Sequence, residues 1–147
     1  MPPALTGLVV AAAVLLAATA FGLLRRSHDG RLRHGSGVEG RELFAELGVE
    51  AGTPVTLLQF SSAFCAPCRA TRALCASVAA QVEGVRHVEV DAEAHLGAVR
   101  ALGIMRTPTL LVVDAAGREV RRATGQPPTR AHLLAAVSEA TTAGSAR

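Results

Sequence analysis

Two cysteines three positions apart, Cys65 and Cys68, constrain this sequence more than any other feature. They follow an almost continuously apolar run, Val55–Phe60, and stand at the start of a helical pattern over Ala66–Val82. Pro67 suits the first turn of that helix, because its missing N–H would have no intrahelical acceptor there. The order predicts a buried strand, a tight turn, and a helix with both sulfur atoms at its N-terminus.

The predicted position of Cys65 at a helix N-terminus favours its ionised, nucleophilic form. Unpaired backbone N–H groups and the helix macrodipole stabilise an anion at that end of a helix. Cys68 lies one turn further on, roughly 5 Å along the helix axis, which is within the span of a disulfide bond. One exposed nucleophilic sulfur with a second sulfur behind it is the arrangement that thiol–disulfide exchange requires.

Composition excludes several classes of function. Every basic residue of the 147-residue chain is an arginine, so it has neither a Walker A phosphate-binding loop nor a Schiff-base lysine. Tyr and Trp are absent and only four Phe occur, which argues against a base-stacking nucleic-acid surface. The formal charge of +3 owes much to arginines beside an apolar segment, so we expect no nucleic-acid partner.

An uncharged segment of twenty residues, Leu5–Leu24, is predicted to cross a membrane as one helix and to contact the lipid bilayer. It covers roughly 30 Å at the helical rise per residue, which matches the hydrocarbon thickness of a bilayer. A cleaved signal peptide is the alternative, because residues 18–20 (Ala-Thr-Ala) resemble a cleavage site. The length of the run and the lack of a preceding basic residue favour the uncleaved anchor.

Arginines flank this segment on its C-terminal side only, at positions 25, 26, 31 and 33. The positive-inside rule then places the following domain in the cytoplasm, with the extracytoplasmic side as the alternative. Residues 27–40 are rich in Gly, Arg, His and Ser, which is typical of a linker. We therefore expect an anchor at residues 1–24, a basic juxtamembrane linker at 25–40 and a folded domain at 41–147.

The folded part alternates between strand and helix patterns. Helical spacing occurs at residues 39–47 and 94–102, and a last helix starts after Thr129, with a tail from Thr141 that looks frayed. Strand patterns cover Arg86–Asp91, Thr109–Val113 and Glu119–Ala123, and a tight turn joins the last two. Strand, helix and strand in sequence predict a right-handed parallel crossover, so we expect an α/β domain with a mixed sheet.

From about Val38 to Ala140 the chain resembles the thioredoxin family. The resemblance rests on VTLLQF before FCAPC, on VEVDAE, GIMRTPTLLVV and DAAGREV, and on Gly125 before the last helix. It implies a thioredoxin-like fold, with a mixed central sheet flanked by helices after the transmembrane helix. It also implies that Cys65 attacks a disulfide of a substrate protein and that Cys68 resolves the mixed disulfide. This chemistry needs no metal or organic cofactor in the chain, and a partner reductase supplies the electrons.

The same resemblance assigns roles to residues outside the motif. Pro108 would be a cis-proline facing the cysteines, and the backbone of Thr107 would hydrogen-bond an extended substrate segment. The neutral Gln59 stands where the family has a buried Asp that handles the proton of the second cysteine, and Phe64 replaces a Trp. His87 stands where a Lys is frequent, and we expect it to be an exposed strand residue.

Two residues of the motif, Pro67 and Arg69, are candidate modulators of its reactivity. Arg69 adds positive potential beside the thiolate, although a solvated helix face would also hold an arginine. Cys75 lies roughly 10 Å from Cys68 along the helix, which is too far for a disulfide bond. We expect Cys75 to be a small buried side chain, with a regulatory or intermolecular thiol as the alternative.

The leading hypothesis is a membrane-tethered thiol–disulfide oxidoreductase of the protein-disulfide reductase type, and two other functions remain open. The two cysteines could be ligands in a metal-binding module. Structural zinc usually has four ligands, however, and the chain has no second Cys-x-x-Cys or His-x₃-His pattern, so we expect no metal site. A non-catalytic thioredoxin-like scaffold is the other alternative.

Overall fold

The structure is a computed structural model that describes residues 2–35 and 40–145. Met1, residues 36–39 of the predicted linker, which include the start of the resemblance at Val38, and residues 146–147 lie outside the described residues. The helices are α1 (Pro3–His28), α2 (Arg41–Glu46), α3 (Ala66–Gln81), α4 (Leu96–Ala101) and α5 (Arg130–Ser145). The strands are β1 (Arg33–His34), β2 (Val55–Ser61), β3 (Val85–Asp91), β4 (Thr109–Asp114) and β5 (Glu119–Thr124).

These strands form one mixed sheet in the order β1-β5-β4-β2-β3. β2 and β3 are parallel, as the strand–helix–strand order predicts, and the other neighbours are antiparallel. Every residue of β2 and β4 is buried, because helices cover both faces of these central strands. The predicted mixed sheet flanked by helices is confirmed. Its central strand β2 ends at Ser61, shortly before the cysteine motif.

Side chains on the two faces of the sheet form two separate cores. Alternate residues of each central strand point to opposite faces, so β2 and β4 contribute to both cores. One core, which includes α3 and α5, contains Val55, Leu57, Cys75, Val78, Leu110, Val112, Leu133 and Val137. The other, which includes α2 and α4, contains Phe44, Leu58, Phe60, Val90, Ala98, Leu111 and Val113.

Helix α1 differs from the other helices because its apolar side chains are exposed. An 18-residue stretch within Ala4–His28 has a mean hydropathy of 2.4, and the helix is long and apolar enough to cross a membrane. A signal sequence near an N-terminus has the same length and composition. The predicted N-terminal apolar helix is confirmed as a candidate membrane span.

The described residues between α1 and α2 contact the edge of the sheet, in a region where the sequence predicts a linker. α1 continues to His28, and β1 pairs with β5 through Arg33 opposite Arg122. The backbone N–H of Gly30 donates to the carbonyl of Thr124 at 3.1 Å. Gly30 has φ +73°, and a Cβ at this position would lie 2.7 Å from a backbone oxygen, so the close contact requires glycine. The described part of this region is therefore attached to the sheet edge.

The C-terminal tail also differs from its prediction, because α5 continues from Thr141 to Ser145 where we expected fraying. The hydroxyl of Thr141 donates to the backbone carbonyl of Val137 at 2.9 Å, and the hydroxyl of Thr142 donates to the backbone carbonyl of Ser138 at 3.0 Å. The buried Ala140 packs this last part of the helix onto the sheet core. Tertiary packing, which a weak local pattern does not reveal, extends the helix.

Candidate active site

Cys65 and Cys68 form a disulfide bond at the N-terminus of α3, with their Cα atoms 5.2 Å apart. Cys65 is the N-cap residue, and its Sγ accepts a hydrogen bond from the backbone N–H of Cys68 at 3.2 Å. Cys68 is buried, with only 1% of its surface exposed, whereas Cys65 is partly exposed. The outer sulfur can therefore reach a substrate, while the inner sulfur reacts only with its neighbour.

The turn before the motif has an unusual backbone conformation at Phe64. Its φ of 56° lies in the left-handed region, which costs a residue other than glycine about 1–2 kcal/mol. This conformation turns the chain sharply from β2 into α3, and the Phe64 ring is left fully exposed beside the cysteines. Pro67 then occupies the first turn of α3, where its carbonyl accepts a bond from the hydroxyl of Thr71 at 2.9 Å.

The loop before β4 lies beside this turn. The Thr107–Pro108 peptide bond is cis, as the resemblance implies. The hydroxyl of Thr107 is 2.7 Å from that of Ser62, which joins the proline loop to the segment just before the cysteines. Met105 in the same loop is exposed. An exposed ring and an exposed thioether chain thus accompany the partly exposed sulfur.

Gln59 lies beneath the motif, fully buried on β2. Its Nε2 donates to the carbonyl oxygen of Cys68 at 2.9 Å and to the hydroxyl of Ser61 at 2.8 Å. Because the Cys68 carbonyl can only accept, the amide orientation is fixed and Oε1 faces Nε2 of His87 at 3.1 Å. His87 must then donate from Nε2, which fixes the tautomer of its neutral ring. Gln59 therefore contacts the second cysteine without supplying a base.

The prediction that His87 is an exposed strand residue is wrong. His87 is half-buried on β3, on the same face of the sheet as Gln59 and Glu89. Burial lowers the pKa of His87, a shift that Glu89 partly opposes by favouring the charged ring. The imidazole is therefore neutral at pH 7, and it supports Gln59 as a hydrogen-bond donor.

Sequence reasoning missed an ion pair next to this network. Arg72 on α3 and Glu89 on β3 make two bonds, from Nε to Oε2 at 2.5 Å and from Nη2 to Oε1 at 2.7 Å. The hydrogen bond from Arg72, aided by one from Ser61, holds the pKa of Glu89 below its usual value. Glu89 is directly opposite Gln59 in the parallel register. The alternation of polar and apolar residues along β3 was the sequence signal that could have placed Glu89 on the same face as His87. Arg72, Glu89 and Asp91 line an open polar cavity.

The remaining predicted residues near the motif have simpler surroundings. Cys75 is fully buried, and burial raises the pKa of its thiol to about 12, which confirms the prediction of a small buried side chain. Arg69 is exposed, and its backbone N–H donates to the carbonyl of Cys65 at 3.3 Å. In residues 2–35 and 40–145, no three His, Cys, Asp or Glu side chains gather in a way that could hold a metal ion.

A protein-family model and several solved structures are similar to this chain. The family model for thioredoxin matches residues 42–139. A mutant thioredoxin from Halobacterium salinarum is 19% identical with a TM-score of 0.57, and the match covers 71% of this chain and 88% of that one. A chloroplastic thioredoxin z is 20% identical with a TM-score of 0.57, and the match covers 75% of this chain and 96% of that one. A thioredoxin from Nicotiana alata is 18% identical with a TM-score of 0.54, and the match covers 67% of this chain and 81% of that one.

At these identities the solved structures support the fold alone, and no curated protein sequence matches the chain. The family model spans most of the chain and includes the cysteine pair, the cis-proline loop and the last strand. The Cys65–Cys68 pair has the spacing and position that thiol–disulfide redox chemistry requires. The chain therefore belongs to the thioredoxin family.

Proposed function

We propose that this protein is a membrane-tethered thiol–disulfide oxidoreductase that reduces disulfide bonds of substrate proteins. The observation that carries the proposal is the asymmetry of the cysteine pair. Cys65 caps α3, accepts an N–H bond on its sulfur and is partly exposed, whereas Cys68 is buried behind it. A thiolate at Cys65 is stabilised by the helix N-terminus and is accessible to a protein disulfide.

The reaction has two exchange steps. The Cys65 thiolate attacks one sulfur of the substrate disulfide, forms a mixed disulfide and releases the other substrate sulfur as a thiolate. The Cys68 thiolate then attacks the Cys65 sulfur and releases the second substrate thiolate, so the Cys65–Cys68 disulfide forms. The substrate gains two electrons and the protein loses two. A dithiol of a partner reductase must return the protein to its reduced form.

The substrate segment lies, in this proposal, along the loop before β4. The contact between Thr107 and Ser62 holds this loop close to the turn that leads into Cys65. The Thr107 backbone provides hydrogen-bonding groups for an extended peptide, and the exposed Phe64 provides apolar contact. The motif Cys-Ala-Pro-Cys therefore acts with Thr107 and Pro108 as one substrate-binding and reactive surface.

The tether is α1, and residues 5–24 contact the bilayer. Arginines follow this segment and none precedes it, which favours a cytoplasmic redox domain under the positive-inside rule. The extracytoplasmic side is the alternative, and it would require a different electron donor. In either case the tether confines the enzyme to disulfides near a membrane surface.

Single cysteine variants of the full-length protein test the catalytic roles. Cys65→Ser should reduce the rate of insulin-disulfide reduction by dithiothreitol to that of the uncatalysed reaction, because the attacking sulfur is lost. Cys68→Ser should accumulate mixed disulfides with substrate, because the first step proceeds and the second cannot. Turbidity measures insulin reduction, and nonreducing electrophoresis detects the trapped species.

Cys75→Ala is the matched control, because it removes a buried sulfur that lies outside the reactive pair. It should keep activity close to that of the native protein. The assigned roles would be reversed if Cys65→Ser trapped substrate and Cys68→Ser did not. A native protein that neither reduces insulin nor forms mixed disulfides would favour the scaffold alternative, and zinc bound to the reduced protein would favour the metal-binding alternative.

A further inference from the structure

Five arginines surround an open cavity between the end of α1 and the sheet edge. The cavity has a volume of about 350 Å³, and its lining includes Arg25, Arg31, Arg33, Arg106, Arg122 and Asp29. We call these five arginines the juxtamembrane basic cluster. They come from three separate parts of the chain, namely the end of α1 with β1, the loop before β4, and β5.

The positive charge of this cluster is incompletely balanced. Asp29 pairs with Arg106, and Glu119 pairs with Arg122. Within the described residues, the guanidinium groups of Arg25, Arg31 and Arg33 have no carboxylate partner. Gathering like charges around one cavity is unfavourable unless an anion offsets them. These guanidinium groups, unpaired within the described residues, therefore favour an anionic ligand at the cavity.

Backbone contacts hold the cluster in place. β1 sets Arg33 directly opposite Arg122 in the sheet. A hydrogen bond of 3.3 Å joins Nη1 of Arg106 to Oδ2 of Asp29, and a second bond joins Nη2 to Oδ1. This pair packs on Gly125, where a Cβ would lie 3.1 Å from Cζ of Arg106 and 3.2 Å from Cγ of Asp29. The arginines are thus positioned by the fold and do not hang on a free tether.

The position of the cluster along α1 identifies the source of the anion. Arg25 directly follows Leu24, the last residue of the apolar segment, so a membrane-spanning α1 sets Arg25 at the depth of the lipid headgroups. Guanidinium groups bind phosphate oxygens bidentately, and a phosphodiester is the anionic group at that depth. We propose that the juxtamembrane basic cluster binds the phosphate-bearing headgroup of an anionic phospholipid.

This inference rests on the membrane-tethering part of the proposed function, and it gives the lipid a position relative to the active site. Arg106 directly precedes Thr107 and Pro108, and Thr107 contacts Ser62 in the turn before the cysteines. A headgroup bound in the cavity beside the Arg106–Asp29 pair therefore holds the substrate-binding loop at the membrane surface. The oxidoreductase would then act on disulfides that lie close to the lipid headgroups.

Binding of short-chain phosphatidylglycerol to the full-length protein in nonionic detergent tests this site. Fluorescence anisotropy of a labelled phosphatidylglycerol gives the affinity, and unlabelled phosphatidylglycerol, phosphatidylcholine with the same chains, and inorganic phosphate are competitors. Phosphatidylglycerol should displace the probe, and phosphatidylcholine should do so at least tenfold less effectively. Arg31→Gln combined with Arg33→Gln should weaken binding about 25-fold, from roughly fivefold for each arginine near an anionic lipid.

Arg100→Gln combined with Arg130→Gln is the control, because it removes two exposed arginines that do not line the cavity. This control should bind the probe like the native protein. Equal weakening in both double variants would overturn the site. Displacement by inorganic phosphate as effective as that by phosphatidylglycerol would overturn the lipid source. Insulin reduction by the same preparations reports on the catalytic part separately, and carbonate extraction of membranes reports on the tether.

Discussion

At the scale of single residues, Gln59 shows how this chain stabilises a buried polar position beneath the cysteines. The family pattern implies a carboxylate here, which would be costly to bury in its charged form. The amide of Gln59 instead satisfies its hydrogen-bonding groups with Cys68, Ser61 and His87. A neutral group cannot accept the proton of the Cys68 thiol, so water or another group must take it during resolution.

Replacing Gln59 by Asp should change both halves of the reaction. A nearby negative charge disfavours a second anion, so Cys65 should become harder to ionise. A carboxylate can also accept the proton of Cys68, and general-base assistance is worth about 10²–10⁴-fold when it is fully used. Gln59→Asp should therefore speed the resolution of a preformed mixed disulfide near neutral pH. Thiolate absorbance and stopped-flow kinetics measure the two effects.

The matched control for this change is Gln59→Asn, which shortens the side chain equally but stays neutral. The shorter side chain of either variant cannot reach both His87 and the Cys68 carbonyl. The free energy of unfolding should therefore fall in both variants, by about 1–3 kcal/mol for each buried group left without a partner. Only Gln59→Asp should change the ionisation of Cys65. If Gln59→Asn changed ionisation and resolution as much, the effect would come from lost packing and not from charge.

At the scale of elements, α3 packs across β3 and determines the protonation of two side chains. It covers His87 enough to lower the pKa of the ring, while Arg72 on α3 pairs with Glu89. The lowered pKa of Glu89 contributes stability that is complete above its ordinary value of 4.5 and is lost only as the pH falls below it. Of His87 and Glu89, it is therefore His87 whose titration affects stability between pH 5 and 6.5.

The native protein should lose stability as the pH falls below 6.5, the ordinary pKa of a histidine. The folded protein has the lower pKa, so the unfolded chain binds the proton more tightly and protonation favours unfolding. His87→Gln removes this titration and should flatten the dependence between pH 6.5 and 5. Urea unfolding at several pH values measures it. An equally steep loss of stability in His87→Gln would show that another group is responsible.

The sequence predicts the elements well because their signals are local. The helix predicted at Ala66–Val82 is observed at Ala66–Gln81, and the strand predicted at Arg86–Asp91 is observed at Val85–Asp91. The contacts between elements have no local signal. His87 meets Gln59 across 28 positions and Arg106 meets Asp29 across 77, and both contacts depend on sheet register and chain path. The reactive pair was therefore predictable, while its supporting network and the basic cluster were not.

At the scale of the whole molecule, an exposed apolar helix is attached to a folded redox domain through contacts at the sheet edge. The apolar surface of α1 has no covering protein within the described residues. A bilayer would bury that surface, and the domain would then lie directly below the headgroups. The orientation of the active site relative to the membrane is thus a property of the junction around Gly30 and Arg33.

The full-length protein should remain with membranes during alkaline carbonate extraction, because the proposed membrane-spanning α1 would hold it in the hydrocarbon layer. Recovery of a soluble species that begins near Phe21 would show instead that the segment is a cleaved signal peptide.

A C-terminal alkaline phosphatase fusion should be inactive in cells if the domain is cytoplasmic, as we propose, since alkaline phosphatase folds only outside the cytoplasm. An active fusion would contradict the cytoplasmic orientation. A fusion at the same site to a cytoplasmic reporter is the control for expression.

The complete burial of Cys75 gives the protein an internal reporter of opening. In the reduced native state the partly exposed Cys65 can react with a maleimide, whereas the buried Cys75 reacts only when α3 separates from the sheet. The labelling rate of Cys75 therefore measures how often this helix opens, without any introduced probe. Comparing the rate before and after oxidation of the other two sulfurs would give the free energy by which the disulfide secures the helix.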